Sequence, residues 1–197
     1  MNKIYFLLIL STSLVFGQEK NENRLIFNPN FTISFVTNNY FGDNYLAKGH
    51  KDPGYGFQMR SDWLYFNKFG FGFGVEKSTQ KVSDFAIGGN IQKTNSNSIF
   101  CFLTYNFNIN QKLSLNPEVN FGGIELRQKS GGKFYGQQNG QRFGSGLNIN
   151  YKINKTFSIF SNVGYSIYRL KTNTSDEFIN YFNRANSINF SIGIKLK

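Results

Sequence analysis

The sequence is poor in cysteine and proline, and it lacks long apolar runs in all but its first residues. Cys101 is the only cysteine among 197 residues, so no intramolecular disulfide can form. The chain has only three prolines, and so low a proline content favours β-strands. After residue 17 no apolar run approaches the roughly 20 residues that a membrane-spanning helix needs. A disulfide-stabilised scaffold and a helical membrane protein are therefore both excluded.

The first 17 residues have the three-part pattern of a secretory signal peptide. A short positive start at residues 1–3 is followed by the apolar run Ile4–Phe16 and by the small residue Gly17. The apolar run is too short to cross a bilayer as a helix, which favours a cleaved signal over a membrane anchor. We therefore predict that residues 1–17 are a signal peptide, cut before Gln18.

The remaining chain is long enough for one domain, and it shows no internal repeat or linker. We predict a periplasmic N-terminal lead at residues 18–29 and a single domain at residues 30–197. Acidic residues are scarce, with 11 Asp and Glu against 22 Lys and Arg and a net charge of +11. In an exported protein this balance disfavours nucleic acid as a partner and favours anionic surfaces.

The main structural signal is an alternation of apolar and small or polar residues, because side chains of a strand point to opposite faces in turn. Aromatic residues make up 18% of the chain, and in one segment Phe69, Phe71 and Phe73 alternate with three glycines. Eight segments alternate in this way: 31–35, 55–65, 69–74, 99–107, 113–121, 143–151, 157–167 and 188–196.

The connections between these segments are alternately short and long. Tight polar turns are predicted at 67–68, 110–112 and 154–155, and long links at about 41–53, 77–97, 127–141 and 171–186. Val82–Ile91 also alternates, and we interpret it as part of the second long link. An even strand number with this layout is typical of outer-membrane barrels. We predict an all-β fold, an eight-stranded antiparallel up-and-down transmembrane β-barrel with short periplasmic turns and four long outer loops.

Soluble barrels such as lipocalins show the same alternation, so alternation alone does not show whether the apolar face points into the barrel or out of it. An eight-stranded barrel has an interior only wide enough for its own side chains, and the many aromatic residues would overfill it. The opposite face is rich in Gly, Ser, Thr and Asn, whereas a solvated sheet carries many charges. We therefore predict that the apolar face contacts lipid.

A few charges of both signs lie on the predicted inner face. We predict that they pair as a lumen network, although scattered surface charges are an alternative interpretation: Arg60, Asp62, Glu76, Glu118 and Lys152. Phe100, Phe102, Phe160 and Tyr168 also point inward, and glycines opposite them leave room for these bulky groups. A filled lumen disfavours a wide pore.

Seven aromatic residues lie on the predicted outer face beside the short turns, and we call them the aromatic belt: Trp63, Tyr65, Phe69, Tyr105, Phe107, Tyr151 and Phe157. Aromatic side chains prefer the membrane–water interface, so the belt predicts one edge of the bilayer.

On these features the chain resembles small bacterial outer-membrane β-barrel proteins, in particular PorT-like and OmpX- or OmpA-like barrel domains. The resemblance rests on the signal ending Val15-Phe16-Gly17, on the eight alternating segments and on the last strand, NSINFSIGIKLK. It implies a location in the bacterial outer membrane after signal cleavage and a monomeric barrel. Many such proteins end in an aromatic residue, whereas this chain ends in Leu196-Lys197.

The long links are rich in lysine. Lys48, Lys51, Lys129 and Lys133 are predicted to form a basic rim that binds lipopolysaccharide phosphates, with a generic solvated surface as the alternative. Within the fourth link, residues 174–182 are predicted to form one or two helical turns, whose aromatic residues could contact an envelope protein or the membrane.

His50 and Asp52 supply the one enzymatic alternative, because some small barrels are lipid-modifying enzymes with a His, an acid and a Ser at the outer mouth. No motif ties a Ser to these two residues. We therefore predict a structural, assembly or interaction role through basic outer loops, with no enzymatic activity, no cofactor and no metal. A lipid acyl-transfer enzyme using His50 and a soluble lipocalin-like barrel are the alternatives.

Overall fold

The computed structural model describes residues 25–50, 52–84, 91–172 and 174–197. These residues form nine strands: β1 (Leu25–Phe41), β2 (Gly54–Phe66), β3 (Phe69–Lys81), β4 (Lys93–Tyr105), β5 (Phe107–Asn108), β6 (Leu113–Ser130), β7 (Lys133–Lys152), β8 (Phe157–Lys171) and β9 (Arg184–Leu196). Two short helices, α1 (Tyr45–Gly49) and α2 (Ile179–Asn183), lie in the first and last long links, and a 3₁₀ turn (Asp176–Phe178) precedes α2. None of these helices is long or apolar enough to cross a membrane.

The strands close into an antiparallel ring. Each long strand pairs with its neighbours along the chain, and β1 pairs with β9, for example at Phe35 and Ile192. The two-residue β5 continues β4 after Asn106, and both pair with β6, so the ring has eight positions. The predicted eight-stranded antiparallel barrel is confirmed.

The apolar face lies outside the barrel. In β3, Phe69 and Phe73 are exposed while Gly70, Gly72 and Gly74 are buried. Nearly all buried polar residues of the strands point into the lumen, where Asn, Ser and Thr predominate. This is the reverse of a lipocalin, whose apolar side chains line an inner cavity.

Two glycines of β3 are required by the crowded lumen. A Cβ on Gly72 would lie 2.3 Å from the Ser61 carbonyl oxygen and 2.5 Å from Cζ of Phe102. A Cβ on Gly74 would lie 2.4 Å from Cζ of Phe100. The glycines therefore leave the space that inward phenylalanine rings occupy.

The short turns repeat one device based on asparagine. Asn110 accepts hydrogen bonds from the N–H groups of Lys112 and Leu113, and Asn154 accepts the equivalent pair two strands later. At the first turn Asn67 adopts a positive φ of 54°, which asparagine tolerates better than most residues. These local bonds explain why the turns at this end are so short.

A β-bulge at Trp63 changes the direction of the residues after it. The pairing of β2 with β3 passes from Asp62–Gly72 to Leu64–Phe71, so Trp63 has no partner across the strand. Tyr65 then lies opposite the inward Gly70. The prediction that Tyr65 belongs to the outward aromatic belt is wrong, because the extra residue reverses the alternation.

The other side of β2 is irregular at the same level. Two residues of β1, Asn28 and Pro29, face Trp63 between the pairs Phe27–Leu64 and Asn30–Asp62. Proline has no N–H to donate, so it is tolerated at such an interruption. The barrel also starts earlier than the predicted boundary at residue 30, because Leu25–Phe27 already pair with β2.

The third link differs from the expectation of a long loop at 127–141. Strands β6 and β7 extend through this stretch as a hairpin, and Gly131-Gly132 forms its turn with φ angles of 53° and 82°. The second link is also shorter than expected, because β3 continues to Lys81 and β4 begins at Lys93. Most of the ambiguous segment 82–91 lies outside the described residues, as do the predicted signal peptide and most of the lead.

Candidate functional site: the filled lumen and its two ends

One ion pair crosses the lumen between β2 and β6. Arg60 pairs with Glu118 and also donates to Asn148 Oδ1 at 3.3 Å. Its guanidinium carbon lies 4.1 Å from the ring centre of Phe102 and 5.3 Å from that of Phe160. The cation is therefore enclosed by a carboxylate, an amide and two aromatic faces, which compensates part of its lost hydration.

A second ion pair lies nearer the long-link end. Arg142 Nη1 donates to Glu76 Oε2 at 2.8 Å, and Glu76 also accepts from Asn38 at 2.8 Å and Gln58 at 2.9 Å. The Arg142 guanidinium carbon lies 4.9 Å from the ring centre of Phe100. Sequence reasoning missed Arg142, because the predicted segment began one residue later, although the alternation with the outward Phe143 extends to it.

The third charged pair lies toward the short turns. Lys195 Nζ lies 2.5 Å from Asp62 Oδ2, with both side chains mostly buried. Of the predicted lumen network, the structure brings Arg60, Asp62, Glu76 and Glu118 into these three pairs. Lys152 lies apart from them, because it is exposed at the end of β7 and lines the mouth of the barrel.

The long-link end is closed by an apolar cap. Inward residues of four strands and the first helix form one buried cluster: Tyr40, Tyr45, Leu46, Ile124, Leu126, Tyr168, Leu170 and Ala185. Tyr181 and Phe182 of α2 pack against it. The Asn44 side chain caps α1 by accepting from Ala47 N at 3.0 Å and donating to the Phe41 carbonyl at 2.8 Å.

His50 is a structural part of this cap. It is 2% exposed, with Nδ1 3.1 Å from the Leu46 carbonyl oxygen and Nε2 2.8 Å from Thr94 Oγ1. Burial lowers the pKa of His50, which favours the neutral ring. Asp52 is exposed, and its backbone oxygen accepts from Gln80. Both ring nitrogens of His50 are thus engaged by partners other than Asp52.

The predicted basic rim is not a single group in the structure. Lys48 is exposed on α1, 3.8 Å from Asp43, while Lys133 lies at the tip of the β6–β7 hairpin. Lys129 lies across from Lys93, which in turn lies across from Lys81. Lys51 lies outside the described residues. We call Lys81, Lys93 and Lys129 the lysine ladder.

Cross-strand partners point to the same face, so the lysine ladder shares one face with the apolar exterior. Along β3 this face runs from Phe73 and Val75 through Lys77 and Thr79 to Lys81. The three amines are neighbours without a carboxylate between them in the register, and like charges in such positions repel. The ladder therefore lies just beyond the apolar zone, at the long-link end.

The aromatic belt lies at the opposite edge of the apolar zone. Trp63, Phe69, Tyr105, Phe107, Tyr151 and Phe157 are all exposed on the outer face. Phe69 and Tyr105 contact edge to face at 5.2 Å between ring centres. Tyr65 is turned inward, and the exposed Phe66 lies opposite Phe69 instead.

Known proteins resemble this chain in structure. No protein-family model and no curated protein matches the sequence. Neisserial surface protein A has a similar structure, with a TM-score of 0.60 and 13% identity over 86% of this chain and 96% of that one. A major outer membrane protein from Thermus thermophilus aligns with a TM-score of 0.55 and 12% identity, over 85% and 98% of the two chains.

The outer membrane protein OprG from Pseudomonas aeruginosa aligns with a TM-score of 0.53 and 11% identity, over 88% of this chain and 97% of that chain. Identities this low concern the fold and not the activity. The chain therefore has the fold of small eight-stranded transmembrane barrels from bacteria. The more specific likeness to PorT-like proteins stays a prediction.

Proposed function

We propose that the protein is a non-conducting outer-membrane barrel with a structural, assembly or interaction role carried by its outer end. The observation that supports this most directly is the lumen, where the Arg60–Glu118 and Arg142–Glu76 pairs and the rings beside them fill the cross-section. Above them the apolar cap lies across the outer mouth. We infer that a barrel filled in this way conducts no solutes.

The outer face supports a membrane location. Large apolar side chains are exposed on all eight ring positions, which water would disfavour and lipid accommodates. Short turns lie on the periplasmic side in such barrels, so the cap and the hairpin face the exterior. Phe134 and Tyr135 are exposed near the hairpin tip and offer an aromatic contact for an envelope protein.

Two measurements test this function. Fractionated membranes should hold the protein in the outer membrane, and it should show heat-modifiable migration on a gel. The purified barrel in a planar bilayer should give no stable single-channel steps, whereas regular conductance steps would contradict the non-conducting role. Recovery in the soluble fraction would contradict the membrane location.

We also propose that the lysine ladder binds lipid phosphates of the outer leaflet. Three neighbouring amines repel one another unless anions lie between them, and lipopolysaccharide presents phosphates at this level of the membrane. Their place beside the apolar exterior suits a lipid that lies against the barrel wall. This proposal replaces part of the predicted rim, with Lys129 as the shared residue.

The test uses two matched double variants. Lys93→Gln with Lys129→Gln should reduce the lipopolysaccharide that stays bound through purification, because two adjacent cations are lost. Lys68→Gln with Lys155→Gln removes the same charge from the short-turn end and should leave retention unchanged. Equal retention in both variants would contradict the proposal.

A further inference from the structure

In the part of the chain that the structure describes, the first six residues of β1 have a neighbouring strand on one side only. From Leu25 onward β2 lies along one side of this segment. On the other side β9 pairs with β1 only from Phe31, which lies opposite Leu196, the last residue of β9. The N–H of Lys197 then donates to a carbonyl just before β8 at 2.9 Å. Residues 25–30 therefore present an unpaired backbone edge, which we call the β1 edge.

Apolar side chains are exposed along the β1 edge. Leu25, Ile26 and Phe27 are 65%, 56% and 66% exposed. Trp63 of the aromatic belt lies opposite the two residues that follow Phe27, so residues 25–27 lie beyond the belt, toward the short turns. The belt marks the edge of the apolar zone, and lipid therefore does not account for these three side chains. Exposed apolar residues outside the membrane are typical of a protein contact.

The surface around the β1 edge is basic. Lys68, Lys112 and Lys155 are exposed in the three short turns, whereas Asp62 at this end is buried and paired with Lys195. Among the described acidic residues, the exposed ones lie in the first and last long links, at the other end of the barrel. The turn lysines thus set the sign of the local charge, and they favour an incoming segment with acidic residues over a basic one.

Two other occupants fit the β1 edge less well than a strand from another protein. The predicted lead at residues 18–24 reads QEKNENR, and it offers no apolar side chain to cover Leu25 and Phe27. A second copy of the chain would bring the same lysines to both sides of the contact, where like charges repel. A strand that carries apolar and acidic residues meets neither obstacle.

We propose that the β1 edge binds an extended peptide segment of a periplasmic protein by β-strand addition. The backbone of that segment would pair with the free N–H and C=O groups of residues 25–30. Its apolar side chains would pack against Leu25 and Phe27, and acidic residues at its ends would lie near the turn lysines. Pro29 has no N–H, so the pairing is short. The periplasmic location of this end rests on the membrane orientation proposed above.

The binding test uses the mature protein in lipid nanodiscs and the fluorescently labelled peptide EEVTVTVEE as the probe. Fluorescence anisotropy should show saturable binding, and amides of residues 25–28 that do not bond to β2 should exchange hydrogen at least about tenfold more slowly with peptide bound. The same peptide N-methylated at every valine and threonine loses its main-chain donors and should bind at least about tenfold more weakly. Absence of saturable binding, or equal binding of both peptides, would overturn the proposal.

Two matched double variants locate the contact. Leu25→Glu with Phe27→Glu should weaken binding of EEVTVTVEE by at least about tenfold, because apolar contact is lost and like charges are added. Ile109→Glu with Ile153→Glu adds the same charges to exposed residues of the other short turns and should change the affinity by less than about threefold. Heat-modifiable migration verifies that each variant is folded. Equal losses in the two folded variants would refute the assignment to the β1 edge.

Two further outcomes would identify a different occupant. Binding that appears only after deletion of residues 18–24 would assign the β1 edge to the lead of the chain itself. Protection of the same amides in peptide-free protein, together with a dimer in analytical ultracentrifugation, would assign it to a second copy. Either result would overturn the proposal. Peptide binding is measured on purified protein, so its outcome is independent of the fractionation that tests the proposed function.

Discussion

The two ends of the lumen are built on the same strands and yet have opposite chemistry. Strand β1 turns Asn30 inward at the short-turn end and Tyr40 inward at the long-link end. In the same way, β6 turns Asn116 inward at the short-turn end and Leu126 inward at the long-link end. The long-link end is thereby packed with apolar side chains, while the short-turn end stays open and polar. One alternating pattern can thus close a barrel on one side and leave a chamber on the other.

The two ends also differ in how they affect the stability of the barrel. The cap contains a large apolar cluster, and its removal from water contributes to stability. The short-turn end retains buried amide oxygens without a hydrogen-bond partner and several neighbouring amines, which reduce stability. We therefore expect mutations at the cap and in the charged layers to alter the free energy of unfolding more than mutations at the short-turn end.

The largest expected effect comes from the layer that separates the two ends. Arg142→Gln leaves Glu76 buried without its cation and should destabilise the folded barrel by about 3–5 kcal/mol. Arg169→Gln changes an arginine on the outer face, 5.8 Å from the ring of Phe143, and should cost less than about 1 kcal/mol. Urea unfolding in lipid vesicles measures the loss of stability in both variants. If Arg142→Gln costs as little as Arg169→Gln is expected to cost, the inner ion pair is not essential to stability.

The neighbouring layer, around Arg60 and Phe102, can be disturbed by overfilling it. Gly72→Leu places side-chain atoms against the Ser61 backbone and the Phe102 ring, and should cost about 3 kcal/mol. Gly123→Leu adds the same side chain on the outer face, where no atom lies within 4 Å of its Cβ, and should change stability by less than about 0.5 kcal/mol. Refolding yield and urea midpoints compare the two, and an undiminished Gly72→Leu barrel would mean a roomier lumen.

The two ends can be compared directly by truncating one apolar residue at each. Leu46→Ala creates a cavity in the cap and should cost about 2–3 kcal/mol, provided that the cap unfolds together with the barrel. Ile153→Ala, in an exposed turn at the short-turn end, should cost less than about 0.5 kcal/mol. If both variants unfold at the same urea concentration as the parent, the cap is a separate, weakly coupled unit.

The smallest expected effect is a pH dependence confined to the cap. His50 has a lowered pKa in the folded state, so the open state binds a proton more readily once the pH falls below the ordinary histidine value of about 6.5. Cap stability should thus be constant above that pH and decrease as the pH falls further, toward the folded pKa. The groups that face the ring are the Leu46 carbonyl, Thr94 and Tyr45.

Hydrogen exchange of the α1 amides between pH 7.5 and 5.5, corrected for intrinsic rates, measures this opening. The parent protein should exchange faster at the lower pH, whereas His50→Gln keeps a polar side chain but cannot titrate there and should show a flat profile. A flat profile in the parent would contradict the role of His50. The turn at Asn154 should show no such dependence in either protein.

Much of the fold could be predicted from local pattern alone. The spacing of Phe69, Phe71 and Phe73 shows a strand with one apolar face, and the alternation of short and long links shows an up-and-down order. The bulge at Trp63 was not visible in this way, because Trp63 continues the alternation on paper and only its lack of a partner in β3 reveals the extra residue. The inward turn of Tyr65 follows from that and could not be foreseen.

The candidate sites show the same division. Arg60, Glu76 and Glu118 could be assigned to the inner face, yet which charge pairs with which depends on residues 58 and 66 positions apart in the chain. The lysine ladder depends on the register between β3, β4 and β6, and the prediction of a long loop at 127–141 hid it. The open cavity at the short-turn end, lined among others by Asn30, Asn116 and Asn150, required the ends of several strands to be placed together.

By itself the sequence determined the strand number, the outward apolar face and the polar filling of the lumen. The reason is that the alternation of side chains with period two can be recognised along a single strand, without knowing which strands lie beside it. Only the tertiary structure decided the bulge, the ion pairs, the cap and the open cavity at the short-turn end. Each of these depends on which residues of different strands lie side by side, and ring closure sets that register for the whole barrel at once.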